Sequence, residues 1–204
     1  MAHILLSGFT PFDGRACNAS WIAARLLTLE HHQAHILHCL RIPVCWNAAW
    51  QAIPAALERW QPQLVIAMGE GERGVFRLET LARNTRKARL DNAQRLPPQE
   101  YISASGPQEY LSSAPCATVQ KTLTREGIPI ELSRNAGAYL CEEALYTLEH
   151  GKTIYPFVNQ VFFVHLPPYG SELHYRGEAR ICDEKLLSDF GSRLLDAVLA
   201  DLKS

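Results

Sequence analysis

Leu64-Val65-Ile66-Ala67-Met68-Gly69 is the stretch on which the fold reading turns. It is an unbroken apolar run with no polar alternation, closed by a glycine. Such a run fits a strand buried on both faces, inside a sheet with helices on either side. Upstream, residues 46 to 60 read as a helix whose early Pro54 leaves its middle open to a break. Residues 34 to 44 read as a strand. Ser20 caps a helix to about residue 30, with Ile22, Leu26 and Leu29 on one face. Residues 3 to 7 form a first strand that breaks at Gly8 into a loop ending near Asn18.

Downstream, residues 75 to 84 read as another strand. The polar stretch 86 to 114, with Pro97-Pro98 and Gly106-Pro107, reads as loop with one short strand. A helix over 115 to 126 and a strand over 128 to 132 follow. Cys141 opens a helix that carries two acids in its first turn and stops at Gly151. Gln160 to Leu166 is an apolar strand ending at His165 and two prolines. A last amphipathic helix runs from about 183 to 202, with Leu186, Phe190, Leu194, Ala197 and Leu199 on its apolar face. Strands alternating with helices imply a three-layer α/β/α sandwich around a mostly parallel, mixed, twisted sheet. No linker or repeat divides it, so one domain spanning 1–204 is expected.

With 47% hydrophobic residues in 204, the chain has ample material for a core. Its net charge of −1 points to no nucleic-acid or anionic-membrane partner. No apolar run of about 18 residues is present to span a bilayer. The first residues do not read as a secretory signal, and the six cysteines form no CxxC pair. A cytoplasmic protein with reduced thiols is the expectation.

In open α/β sheets functional groups gather beyond the carboxyl ends of strands. Cys141 follows a strand and a turn, at a helix start where aligned peptide dipoles favour a thiolate. Read alone, it is equally well a small buried hydrophobe. A thiolate needs a base, and the base needs an orienting acid. His165, at a strand end, supplies the first. Glu79, an acid between Leu78 and Leu81, supplies the second.

Several blocks together resemble one family. Gly8-Phe9-Thr10-Pro11-Phe12 with Asn18 and Ser20-Trp21 is similar to the GFxPF…NxSW opening of pyroglutamyl peptidase I. Glu79 to Asn84 resembles its ERxAxN segment, and Ala88-Arg89-Leu90-Asp91-Asn92 its DARIPDN. Ser133 to Cys141 resembles SxxAGxYxCN, and Phe163 to Pro167 resembles FxHxP. The blocks keep the family's order from residue 4 to about 169. The resemblance implies a cysteine peptidase that removes N-terminal pyroglutamate from peptides through a thioester, without metal or cofactor. It implies Cys141 as nucleophile, His165 as general base and acid, and Glu79 as orienter. It implies Arg89 near the oxyanion, with Leu90 beside it, and Phe9, Phe12, Asn18, Tyr139 and Leu140 around the lactam ring. A homo-oligomer, dimer or tetramer, is implied as well. A flat uncharged lactam suits an apolar slot with a few placed polar groups.

The chain departs from the family in places. Glu70 stands where the family has a glutamine, in a loop one residue short, and is expected in the substrate pocket as an acceptor only. Glu142 replaces an asparagine beside the thiol, where a carboxylate facing sulfur opposes thiolate formation. Arg86 and Lys87 replace two acids. An amidase for another small N-terminal acyl group, or a non-catalytic binding module, are the competing readings. Gly69, Gly71 and Gly74 also spell GxGxxG, with Asp91 beyond. Glu70 and Glu72 would meet a pyrophosphate with like charge, so no dinucleotide is expected. His31, His32, His35 and His38 lack the spacing of a ligand set and read as solvated surface.

Overall fold

The computed structural model describes residues 1–29 and 35–201. The order is β1 (Ala2–Phe9), α1 (Ala19–Leu29), β2 (His35–Ile42), α2 (Ala48–Trp60), β3 (Leu64–Glu70) and β4 (Phe76–Glu79). Then come β5 (Leu81–Arg83), β6 (Glu109–Leu111), α3 (Cys116–Arg125), β7 (Ile130–Ser133) and α4 (Leu140–Ile154). β8 (Gln160–Leu166), β9 (Glu172–Tyr175), β10 (Glu178–Ile181) and α5 (Glu184–Asp201) complete it. Six strands form the central sheet in the order β2-β1-β3-β8-β4-β7. β2, β1, β3 and β8 run parallel, β4 is antiparallel to β8, and β7 is parallel to β4. The expected mostly parallel mixed sheet is what the chain builds.

β3 lies between β1 and β8, and its residues 64 to 69 are buried, as the unbroken apolar run requires. One core layer packs α1, α3 and α5 against the sheet, and the other packs α2 and α4 against the opposite face. α2 runs through Pro54 without a break. An interior proline costs about 3 kcal/mol. Burying Ile53 and Leu57 completely returns about 1.5–3 kcal/mol each, so packing holds the helix together.

Three details differ from the sequence reading. Residues 75 to 84 are two strands, because Thr80 leaves the main sheet and β5 pairs with β6 in a separate ribbon. Gly151 does not end α4, which continues to Ile154. A β-carbon at 151 would fall 2.8 Å from Leu57 Cδ1, so the glycine marks where α4 crosses close to α2. The β9–β10 hairpin was not expected. Its turn holds Arg176 and Gly177 at φ of 53° and 83°.

His31 and His32 lie outside the described residues. His38 Nε2 lies 3.0 Å from His3 Nδ1 and its ring stacks on Trp60. Among the described residues, no group of three or more potential metal ligands comes together. No described helix is long and apolar enough to cross a membrane.

Candidate active site

Alternation along each strand decides which face a side chain takes. On β3, Leu64, Ile66 and Met68 pack toward α1, α3 and α5, while Val65 and Ala67 pack toward α2 and α4. Gly69 continues the second set. On β8, Phe162, Val164 and Leu166 take the first face and Val161 and Phe163 the second, which sends His165 toward α4. β4 contributes Phe76 and Leu78 to the first face, leaving Arg77 and Glu79 on the α4 side. Cys141 sits in the first turn of α4, above that same face.

The three groups meet. His165 Nδ1–H donates to Glu79 Oε1 at 2.8 Å, and the imidazole is also hydrogen-bonded to Cys141, a contact that falls to Nε2. Glu79 is 1% exposed and its second oxygen accepts the Asn135 amide at 3.2 Å. One carboxylate thus fixes both the ring of His165 and the loop leading to Cys141. Burial alone would lower the imidazole pKa. The charge on Cys141, its hydrogen bond and the Glu79 carboxylate outweigh burial and raise His165 to about 10. The imidazole is thus favoured in its protonated form by the groups on either side of it.

Closeness of sulfur and ring depends on a missing side chain. A β-carbon on Gly69 would lie 2.7 Å from Cys141 Sγ and 3.3 Å from His165 Cδ2. Register supports this, since Gly69 pairs with His165 across β3 and β8. The loop before α4 is strained: Ala138 takes φ of 54°, a left-handed conformation uncommon outside glycine. Its carbonyl accepts from Lys87 N at 2.8 Å and its own amide faces Glu142 Oε2 at 3.4 Å.

A cavity of about 380 Å³ opens above Cys141 and His165. Phe9 and Leu140 are buried in its wall, Phe12 is half-buried, and Asn18, Glu70, Arg89 and Tyr139 also line it. Asn18 is held rigidly: its Nδ2 donates to Thr10 O, and its Oδ1 accepts from Ser20 N and Ser20 Oγ. Ser20 Oγ in turn accepts the Phe9 amide at 2.9 Å. Tyr139 donates its hydroxyl to Leu90 O and stacks under Arg89, whose Cζ is 4.5 Å from the ring centre. The Leu90 side chain does not line this cavity. It is 48% exposed and faces a neighbouring hollow beside Phe12 and Arg15, so its backbone is the part that serves the site.

Glu70 borders the cavity, but its oxygens are occupied. Oε2 accepts from Arg15 Nη1 at 2.7 Å, and Oε1 accepts from the amides of Ala19 (2.7 Å) and Tyr169 (3.3 Å). The Ala19 contact caps the start of α1. Glu142 is likewise turned to backbone: Oε1 accepts from Arg83 N at 2.6 Å, pinning β5 to α4. Burial raises its pKa, and the amides of Arg83 and Ala138 oppose that rise. The neighbouring Glu143 pairs with Arg86 at 2.8 Å, and both side chains are almost fully buried. Arg86 also donates to Tyr101 O and Asn47 Oδ1. Arg86, one of the two departures before the Arg89 block, is therefore neutralised by an acid two residues after Cys141.

Sequence reasoning missed Gly69, Ser20, Arg77 and Lys87 as parts of the site. Ser20, expected as a helix cap and as part of the opening block, lies inside α1, and its hydroxyl holds the Phe9 amide instead. Gly69 was visible as a strand end and as the first glycine of a GxGxxG spelling, and its packing role needs the partner elements in place.

A family model described as pyroglutamyl peptidase matches residues 2–180. The chain is similar to pyrrolidone-carboxylate peptidase 1 of Photorhabdus laumondii, 33% identical over 174 residues covering 82% of this chain and 79% of that one. It is 35% identical to the pyrrolidone-carboxylate peptidase of Bacillus licheniformis over 149 residues, 72% of this chain and 69% of that one. Among solved structures, pyroglutamyl peptidase I from Bacillus amyloliquefaciens superposes with a TM-score of 0.83 at 24% identity, covering 97% of this chain and 93% of that chain. A mutant pyrrolidone carboxyl peptidase from Pyrococcus furiosus gives 0.86 at 24% identity, covering 98% and 99%. The structural likeness shows the fold, and the sequence matches carry the assignment further: this chain belongs to the pyroglutamyl peptidase family.

Proposed function

We propose that the protein is a cysteine peptidase that removes N-terminal pyroglutamate from peptides, with Cys141 as nucleophile, His165 as acid and base, and Glu79 as orienter. The observation that carries the reading is the hydrogen-bonded row Cys141–His165–Glu79 at the floor of a cavity walled by Phe9 and Leu140. Phe9, Phe12 and Leu140 take the flat face of the lactam ring. Asn18 keeps that wall in place.

The Cys141 thiolate attacks the pyroglutamyl carbonyl carbon, forming C–S as the carbonyl electron pair moves to oxygen. The first amides of a helix have no intrahelical partner, so those at the start of α4 stabilise this oxyanion, assisted by Arg89. Collapse breaks the C–N bond while His165 Nε2–H protonates the departing amine. A water then attacks the thioester and gives one proton to His165. Loss of sulfur releases pyroglutamic acid and restores thiolate and imidazolium.

The reading extends to one catalytic domain acting in a reducing cytoplasm, supported by six free thiols, and to a dimer or tetramer, as the resemblance implies. Light scattering on the purified chain tests the assembly. For the chemistry, a pyroglutamyl aminocoumarin reporter is the assay. Cys141→Ala is expected to release no fluorophore, and iodoacetamide to abolish release by the native enzyme. Full activity in Cys141→Ala overturns the reading.

A further inference from the structure

Charge around the cavity does not balance. Its three carboxylates each have a cation: Glu70 with Arg15 at 2.7 Å, Glu72 with Arg77 at 2.6 Å, Glu79 with His165 at 2.8 Å. Lys87 and Arg89 line it too, and neither has a carboxylate partner among the described residues. Asp91, the nearest acid in sequence, is turned to its own loop and to Trp46, accepting from the amides of Trp46, Ala93 and Arg95. Both cations face the Tyr139 ring, Lys87 Nζ at 5.9 Å and Arg89 at 4.5 Å from its centre. Burial raises the Tyr139 phenol pKa, and the charge of Arg89 opposes that rise. On the peptidase reading, Arg89 has the oxyanion to neutralise. Lys87 has nothing.

The two cations are exposed, whereas Phe9, Asn18 and Leu140 deeper in the cavity are buried. A pyroglutamyl ring seated against those buried groups sends the remainder of its peptide out past the rim. The ring is uncharged, so any anion the substrate offers these cations comes from that remainder. The backbone of Lys87 is fixed relative to the reacting centre because its amide donates to Ala138 O, in the loop that leads into Cys141, so the ammonium is tethered at the rim.

We propose that Lys87 is a specificity residue that selects pyroglutamyl peptides carrying a carboxylate just beyond the scissile bond, from an acidic side chain or a free C-terminus. The proposal rests on the peptidase reading above. Attraction of this kind at an exposed rim is screened by salt and acts on binding, so it appears in KM rather than kcat.

The test compares pGlu-Ala-NH2, pGlu-Asp-NH2, pGlu-Lys-NH2 and pGlu-Ala with a free carboxylate, by release of pyroglutamate. One exposed ion pair predicts about a fivefold higher kcat/KM for each anionic substrate over pGlu-Ala-NH2, carried by KM, and a smaller ratio in high salt. Lys87→Gln is expected to bring the ratio close to one, Lys87→Glu to reverse it toward pGlu-Lys-NH2, and Lys87→Arg to keep it. Lys185→Gln, on α5 away from the cavity, should leave it unchanged. A preference for pGlu-Asp-NH2 alone assigns the anion to a side chain, and one for free pGlu-Ala alone assigns it to the chain terminus. Equal cleavage of all four by the native enzyme, or a ratio that survives Lys87→Glu, overturns this proposal and leaves the peptidase reading standing. Cleavage of none overturns both.

Discussion

Gly69 forms the backbone floor directly beneath Cys141: a β-carbon at position 69 falls 2.7 Å from Sγ, closer than side chains approach one another. Gly69→Ala must therefore push the sulfur, the His165 ring or both out of line. Misplacing a reacting group by about 1 Å costs on the order of 100-fold in rate. Overpacking a core site costs about 1–3 kcal/mol in stability. The expected variant is folded, with kcat down at least about 100-fold. Reporter kinetics beside a thermal melt check this, and wild-type kcat in Gly69→Ala would mean that the sulfur has room the geometry denies it.

Glu79→Gln tests the orienting role. The amide keeps the shape of the carboxylate but loses the charge that favours imidazolium. General acid–base assistance is worth about 10²–10⁴ in rate, and a loss within that range is expected in kcat with little change in KM. If KM rises instead and kcat holds, Glu79 serves substrate binding through its Asn135 contact.

Proton linkage gives a third prediction. The folded-state pKa of His165 is raised from 6.5 to about 10, so the folded state binds this proton more tightly than the unfolded chain. Its contribution to stability is complete below the unfolded value and is lost as pH rises through about 10. Burial works against the rise and charge on Cys141 is the largest cause favouring it, so Cys141→Ser should move the titration down. Imidazole nitrogen shifts followed by NMR across pH 5–11 check it. An unchanged midpoint in the serine variant would remove the thiolate from the account.

Arg86 and Glu143 form a buried pair, and Glu143 is raised by burial and held down by Arg86. Removing one partner of such a pair costs about 3–5 kcal/mol, whereas replacing both by apolar groups is often nearly neutral. Arg86→Met is expected to destabilise by that amount. Arg86→Met combined with Glu143→Leu should recover most of it in urea unfolding. A double variant no better than Arg86→Met would show that the hydrogen bonds to Tyr101 and Asn47 matter more than the charge.

Gly151→Ala sets propensity against packing. Alanine gains about 1 kcal/mol over glycine inside a helix. Crowding the fully buried Leu57 costs about 1–3 kcal/mol. The expected net change is destabilisation of about 1 kcal/mol with unaltered kcat, read by denaturant midpoint and reporter assay.

Much of this molecule was legible before its structure. The unbroken run at 64 to 69 announced an internal strand, because burial on both faces removes any need for alternation. Cys141, His165 and Glu79 stood out as polar or reactive groups at strand and helix ends or inside apolar runs. Distances between elements were not legible. Gly151 reads as a helix stop in one dimension and as a helix crossing in three. Glu70 reads as a pocket acid until Arg15 and the Ala19 amide, far away in sequence, take its oxygens. The β9–β10 hairpin escaped because Arg-Gly is a weaker turn signal than Asn-Gly.

The place of β8 in the sheet has a consequence for how activity is acquired. β8 lies between β3 and β4, yet it is the last central strand the ribosome makes. During synthesis, the thiol at 141 and the acid at 79 are both present before His165 emerges, and β3 and β4 have no shared neighbour to join them until that strand is made. The thiol is armed by the same step that closes the sheet. Chains that fail to complete the fold therefore carry a cysteine without its base, and competence to cut peptides is an end product of folding.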